Sequence, residues 1–160
     1  MKNKILVIGS GAREHAFVRA LSRSPQEKEI YCLASNMNPG IAELSAEILI
    51  GNFNDSAFVA SYAKEAGATL AIVGPENPLA NGIADALWDT GVKVVGPKKD
   101  LAQLETSKAF TRDLLKEYDI PGGPKYQTFN SMNGVTDFLN IFGENYVVKY
   151  DGLAGGKGVK

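Results

Sequence analysis

Scarcity sets the first limits on this chain. Its 160 residues hold one cysteine, Cys32, so no internal disulfide framework exists, and a lone thiol in an apolar stretch fits a reducing compartment. His15 is the only histidine, and no His, Cys and Asp cluster has the spacing of a metal site. Neither charge sign is in excess. The 17 Lys and Arg against 18 Asp and Glu leave a net charge of −1, which does not support a general nucleic-acid surface. No apolar run approaches the roughly 20 residues of a membrane helix, and the N-terminus enters a strand pattern without an apolar leader. The expectation is a cytoplasmic protein with neither a nucleic-acid nor a membrane partner. Disorder is not indicated either, because 44% of the residues are hydrophobic. The length suits one domain, or one domain and part of another.

What is present is organised around Gly9-Ser10-Gly11-Ala12-Arg13-Glu14-His15. Before it runs Lys4-Ile5-Leu6-Val7-Ile8, an apolar stretch without alternation that reads as a buried parallel strand. After it, Ala16-Phe17-Val18-Arg19-Ala20-Leu21 has helical spacing. Two glycines at a strand-to-helix turn let a ligand approach the backbone, and the helix start suits an anion. The turn by itself fits a bare βα connection equally well. A dinucleotide is disfavoured on two counts. Glu14 stands where the fingerprint needs a small residue, and the second strand, over 29–34, ends in Ser35-Asn36 with no acid for a ribose. A mononucleotide or sugar phosphate remains. Arg13 is the natural phosphate ligand because its fork matches an anion bidentately. His15 is read either as a ligand contact or as helix packing.

Strand and helix patterns then alternate. Strands are expected over 47–50, 70–73 and 93–95, and helices over 58–66 (capped by Asn54 or Asp55, closed by Gly67) and 79–90. This implies an open parallel sheet of the α/β class, with ligands beyond the carboxyl ends of its strands. Three such ends are Gly9 to Arg13, Gly74-Pro75-Glu76, and Gly96-Pro97. The prolines around Glu76 and Asn77 restrict φ. Glu76 is read both as an acceptor for ribose hydroxyls and as a first-turn helix residue favoured by the dipole. The pattern changes near residues 98–106, which divides the chain into domains at 1–103 and 104–160. Beyond it, one helix is expected from Ser107 to Tyr118 and another, capped by Ser131, through Val135, Phe138, Leu139 and Ile141-Phe142. Strands are expected over 126–129 and 146–150. Lys149 lies near the end of the last strand, where a buried ammonium needs a partner. Residues 152–158 then hold four glycines and Lys157. Such a loop can fold over phosphates, though Gly158 after Lys157 departs from a P-loop. A flexible linker is the competing reading.

Four segments, in order, resemble the glycinamide ribonucleotide synthetase family of the ATP-grasp superfamily. They are Gly9-Ser10-Gly11-Ala12-Arg13-Glu14-His15; Val73-Gly74-Pro75-Glu76-Asn77-Pro78-Leu79; Leu104-Glu105-Thr106-Ser107-Lys108-Ala109-Phe110; and Val148-Lys149-Tyr150-Asp151-Gly152-Leu153-Ala154-Gly155-Gly156-Lys157-Gly158-Val159. The resemblance implies a Rossmann-like, pre-ATP-grasp domain followed by the start of an ATP-grasp domain. It also implies the reaction: ATP phosphorylates glycine, and the amine of 5-phosphoribosylamine attacks the acyl phosphate, giving glycinamide ribonucleotide, ADP and phosphate in purine synthesis. On this resemblance Gly9, Gly11, Arg13, Glu14, His15, Gly74, Pro75 and Glu76 would hold the sugar phosphate. Lys108, Lys149, Asp151, Gly152, Gly155, Gly156, Lys157 and Gly158 would hold ATP. Magnesium, or manganese in its place, would be held by carboxylates beyond residue 160, and no catalytic residue is assigned within the chain.

Departures from the family pattern fall at Asn36-Met37, Thr106, Gly122-Gly123 and Gly155, and none removes a charged group. Two alternatives stay open: another purine-pathway ATP-grasp ligase acting on an imidazole ribonucleotide, and a non-catalytic sugar-phosphate-binding domain. Family members are much longer, so the sequence is expected to be an N-terminal fragment, inactive alone. The purified 160-residue polypeptide should show no ATP- and glycine-dependent phosphate release, and turnover would contradict the expectation.

Overall fold

The computed structural model describes residues 2–155 and 157–159. The chain forms two compact units, residues 1–102 and 103–160. The first contains β1 (Asn3–Ile8), α1 (Ala12–Ser22), β2 (Lys28–Ala34), α2 (Pro39–Ala42), β3 (Glu47–Ile50), α3 (Ser56–Ala66) and β4 (Leu70–Val73). After these come α4 (Glu76–Ala80), α5 (Ile83–Asp89) and β5 (Lys93–Val95). The five strands form one sheet in the order β3-β2-β1-β4-β5, with every neighbouring pair parallel. This is the open parallel sheet expected from the sequence.

The unbroken apolar strands follow from burial on both faces. Along β1 the side chains alternate. Leu6 and Ile8 enter a core with Val59, Tyr62, Ala63, Ile83 and Leu87 from α3 and α5. Val7 packs the opposite way with Val18, Ile30, Cys32, Ala34 and Ile41. Burial, and then the Glu14 carboxylate, push the Cys32 thiol up to about 12, so it stays protonated as a core group. The cap of α3 is Asp55, whose Oδ1 accepts the Phe58 N–H at 3.1 Å, and Gly67 closes the helix at φ 66°. The single helix expected over 79–90 is instead two. Gly82, at φ 80°, leaves the right-handed region and separates α4 from α5.

The chain passes through α6 (Lys99–Thr106) into the second unit, which holds α7 (Lys108–Glu117) and α8 (Val135–Phe142). Ser107 Oγ caps α7 by accepting the Phe110 N–H at 3.0 Å. Ser131 does not cap α8: its Oγ accepts the Asn133 N–H, and Gly134 precedes the helix at φ 78°. Two expected strands are absent. Residues 126–129 join no ladder, and 146–150 contribute one antiparallel bridge, Lys149 with Val159. Strand propensity is realised only against a neighbour, and Tyr146, Val147, Val148 and Tyr150 remain 47%, 61%, 53% and 68% exposed. Among the described residues none after Ala102 is buried.

Amides of α7 and α8 should therefore exchange with deuterium at least about tenfold faster than those of β1 and β4 in the 160-residue polypeptide. Equal protection in both units would contradict the burial pattern.

Candidate functional site

The order β3-β2-β1-β4-β5 places a topological switch point between β1 and β4, from which successive connections run in opposite directions. The ladder continues into the following glycines: Gly9 N–H donates to Leu33 O at 2.9 Å, and Gly74 N–H to Ile8 O at 3.0 Å. The two glycine turns named from the sequence are thus neighbours at the sheet's carboxyl edge.

Arg13 joins them. Its Nη1 donates to Gly74 O, and its Nη2 lies 2.9 Å from Glu76 Oε1. The Glu76 carboxyl is held below the usual range by its own backbone N–H at the start of α4 and then by the Arg13 guanidinium. Both side chains are partly exposed, at 53% and 33%, so the pair is screened and contributes at most about 1 kcal/mol. Pro75 precedes Glu76 in an extended conformation and sets the entry into α4.

Glu14 and His15 are placed differently from Arg13. Glu14 is 4% exposed, and its Oε2 accepts the Gly11 N–H at 2.6 Å. Its side chain fills the space left by three glycines. A Cβ on Gly9 would lie 2.6 Å from Glu14 Cγ, one on Gly11 would lie 3.0 Å from Oε2, and one on Gly74 would overlap the carboxylate. Gly9 also sits at φ 122°. The His15 ring is half-buried and lies so close to Gly40 that a Cβ there would overlap it.

Residues 35–40 also reach the first turn. Ser10 Oγ meets Ser35 Oγ at 3.1 Å and donates to Asn36 Oδ1 at 2.5 Å. Asn38 Nδ2 donates to Ser10 O at 3.0 Å, while Asn38 Oδ1 caps α2 by accepting the Gly40 and Ile41 N–H groups. Ser10, Asn36 and Asn38 were not among the site residues named from the sequence. The dense run of turn formers at 35–40 was the available signal, but turn chemistry does not say which strand end a turn will face.

In the second unit Asp151 sits at the N-terminus of α7. Its Oδ1 accepts the Lys108 and Ala109 N–H groups at 2.5 and 3.1 Å, and Ser107 Oγ donates to Oδ2 at 3.1 Å. Lys108 Nζ donates to Gly152 O at 2.7 Å. Partial burial alone would raise the Asp151 carboxyl. The Ala109 N–H, the Ser107 hydroxyl and the Lys108 N–H outweigh it, leaving the group below its ordinary value. The loop closes through Tyr150 N–H to Gly158 O and Lys157 N–H to Ala154 O, both 2.9 Å. Gly152 and Gly155 take φ values of 145° and 53°, and Gly158 fits against Ala154. Gly156 lies outside the described residues. Lys149 and Lys157 are both exposed, so Lys149 is not the buried strand lysine expected. A hollow of about 510 Å³ lined by Arg112, Leu115, Phe138 and Phe142 includes none of the ATP residues named above. Among the described residues no group of three or more His, Cys, Asp and Glu could hold a metal ion, and no helix is long and apolar enough to cross a membrane.

Residues 3–105 match the family model described as phosphoribosylglycinamide synthetase, N domain, and residues 106–160 match the ATP-grasp (A) domain of the same enzyme. The chain belongs to the phosphoribosylglycinamide synthetase family. A phosphoribosylamine–glycine ligase of Methanopyrus kandleri is 44% identical over 158 residues, covering 98% of this chain and 35% of the relative. The chain thus spans about a third of the length of the curated relatives it matches. Solved folds are similar too. The N5-carboxyaminoimidazole ribonucleotide synthetase of Thermotoga maritima superposes with a TM-score of 0.75 at 19% identity, covering 100% of this chain and 40% of that one. The phosphoribosylglycinamide synthetase of Anaerococcus prevotii gives 0.67 at 14%, covering 94% and 37%. At such identities the superpositions establish only that the synthetase fold is shared.

The Asp151 contacts generate a pH prediction. A carboxyl lowered in the folded state contributes stability above its unfolded value, near 3.8, and loses it as pH falls through the lower folded value. A carbon-detected NMR titration of Asp151 should place its midpoint below 3.8. A midpoint at or above that value would contradict the cap.

Proposed function

We propose that these residues belong to an ATP-dependent ligase that joins glycine to 5-phosphoribosylamine. The observation that carries the reading is the uninterrupted match of residues 3–160 to the two phosphoribosylglycinamide synthetase domains. In the proposed reaction a glycine carboxylate oxygen attacks the γ-phosphorus of ATP, and ADP leaves. The amine of 5-phosphoribosylamine then attacks the glycyl carbonyl carbon and expels phosphate. The products are glycinamide ribonucleotide, ADP and phosphate, in cytoplasmic purine synthesis.

In this reading the first unit holds the sugar phosphate. The N–H groups at the start of α1 and the Arg13 guanidinium would take the phosphate. The Arg13–Glu76 pair is weak enough to yield. A phosphate dianion would take over part of the guanidinium fork, and Glu76 would turn to a ribose hydroxyl. Gly9, Gly11 and Gly74 would allow close approach of the backbone, Pro75 would restrict the Glu76 turn, and His15 would border the site. The second unit would hold ATP through Lys108, Lys149, Asp151, Gly152, Gly155, Gly156, Lys157 and Gly158. Asp151 would act by anchoring the loop to α7, and the lysines by offsetting charge on the transferring phosphoryl group. A divalent cation, magnesium in preference to manganese, would offset further phosphate charge, held by carboxylates outside these residues.

Arg13→Ala in the full-length enzyme should raise KM for 5-phosphoribosylamine roughly tenfold to a hundredfold, the worth of one or two charge-assisted hydrogen bonds. KM for ATP should stay unchanged in the same steady-state assay. An unchanged KM for the sugar substrate would overturn the assignment.

A further inference from the structure

Glu14 is a buried carboxylate that the reaction above does not use. It is 4% exposed, accepts the Gly11 N–H at 2.6 Å, and lies between the glycines that follow β1 and β4. Burying a polar group is unfavourable unless it is hydrogen-bonded. A fully apolar filler would not bond the Gly11 N–H, and a shorter acid would leave a gap against Gly74. Arg13, the adjacent residue, extends over the same gap to Gly74 O and Glu76. The position of Gly74 relative to α1 therefore decides whether the guanidinium meets its acceptors. The β1–β4 ladder places Gly74 beside the end of β1, and the Glu14 side chain fills the space between Gly74 and the start of α1, so its length sets how closely that end of α1 approaches Gly74.

We propose that Glu14 is a positioning residue for Arg13: it acts as a spacer between the two turns, touches no substrate itself, and tunes sugar-phosphate binding only through the guanidinium. The proposal rests on the reading of the first turn as the sugar-phosphate site. It departs from the expectation that Glu14 contacts substrate. A side chain bonded to Gly11 and closed in by Gly9 and Gly74 has little surface left for a ligand.

The test is a double-mutant cycle in the full-length enzyme, read as KM for 5-phosphoribosylamine with kcat and KM for ATP as controls. Glu14→Asp keeps the carboxyl group but withdraws it from Gly74. It should raise that KM about tenfold, as expected for a misplaced binding group. In an Arg13→Ala background the same change should raise it less than about twofold, because the group through which it acts is gone. Glu14→Gln, which keeps the length and an oxygen for the Gly11 N–H, should restore most of the affinity lost in Glu14→Asp. Gly74→Ala crowds the same carboxylate from the β4 side, and carries the cycle should Glu14→Asp fail to fold. Equal rises in both backgrounds would overturn the proposal, since Glu14 would then act independently of Arg13. An unchanged KM in Glu14→Asp, with a raised KM in Arg13→Ala, would overturn it and leave the sugar-phosphate reading intact. An unchanged KM in Arg13→Ala would remove that reading and the proposal together.

Discussion

The close contact between the Glu14 side chain and the glycines after β1 and β4 is the constraint on which the rest of the first unit's edge depends. Gly9, Gly11 and Gly74 cannot carry a Cβ without meeting that side chain, and Gly9 also needs a positive φ. These glycines lie at the point where the sheet reverses its order. They permit two βα turns to approach until one arginine spans both. Such a reversal is where open α/β sheets bind their ligands. At this one the Glu14 side chain is buried against the glycines and the Arg13 side chain is largely exposed beside it.

The second unit shows a different economy. It buries no described residue, yet its polar contacts are well defined. One carboxylate, Asp151, gathers three donors at the start of α7, and the neighbouring Lys108 holds the next carbonyl of the same loop. The glycine-rich loop is therefore tied at its base by hydrogen bonds rather than by packing. Apolar residues that read as strand, such as Val147 and Val148, lie exposed. Strand formation needs a neighbouring edge, and 146–150 finds one bridge, at Val159.

Much of the first unit was legible in the sequence. The apolar runs at 4–8, 29–34 and 70–73, the first and last of them followed by glycine, point to a parallel sheet because strands buried on both faces read as unbroken apolar runs. Asp55 and Gly67 mark the ends of their helix for reasons local to the chain. The sequence over 79–90 reads as one helix where the structure has two, because a tolerated glycine and a helix-ending one look alike until φ at Gly82 is known. Residues 126–129 and 146–150 read as strands but form none, because propensity reports a preference and not a partner.

The sequence by itself determined the class of the fold, the family, and which short segments carry charge beside glycine, since these depend on periodicity and local chemistry. The tertiary structure alone decided that Arg13 faces Gly74 and Glu76, more than sixty residues away. It alone decided that Glu14, one residue along the same helix, turns inward. Successive residues on a helix point about 100° apart. Which of two adjacent charged side chains enters the gap is therefore set by where the neighbouring strand ends. That position is fixed by the β1–β4 register, a relation between distant residues that no local pattern encodes.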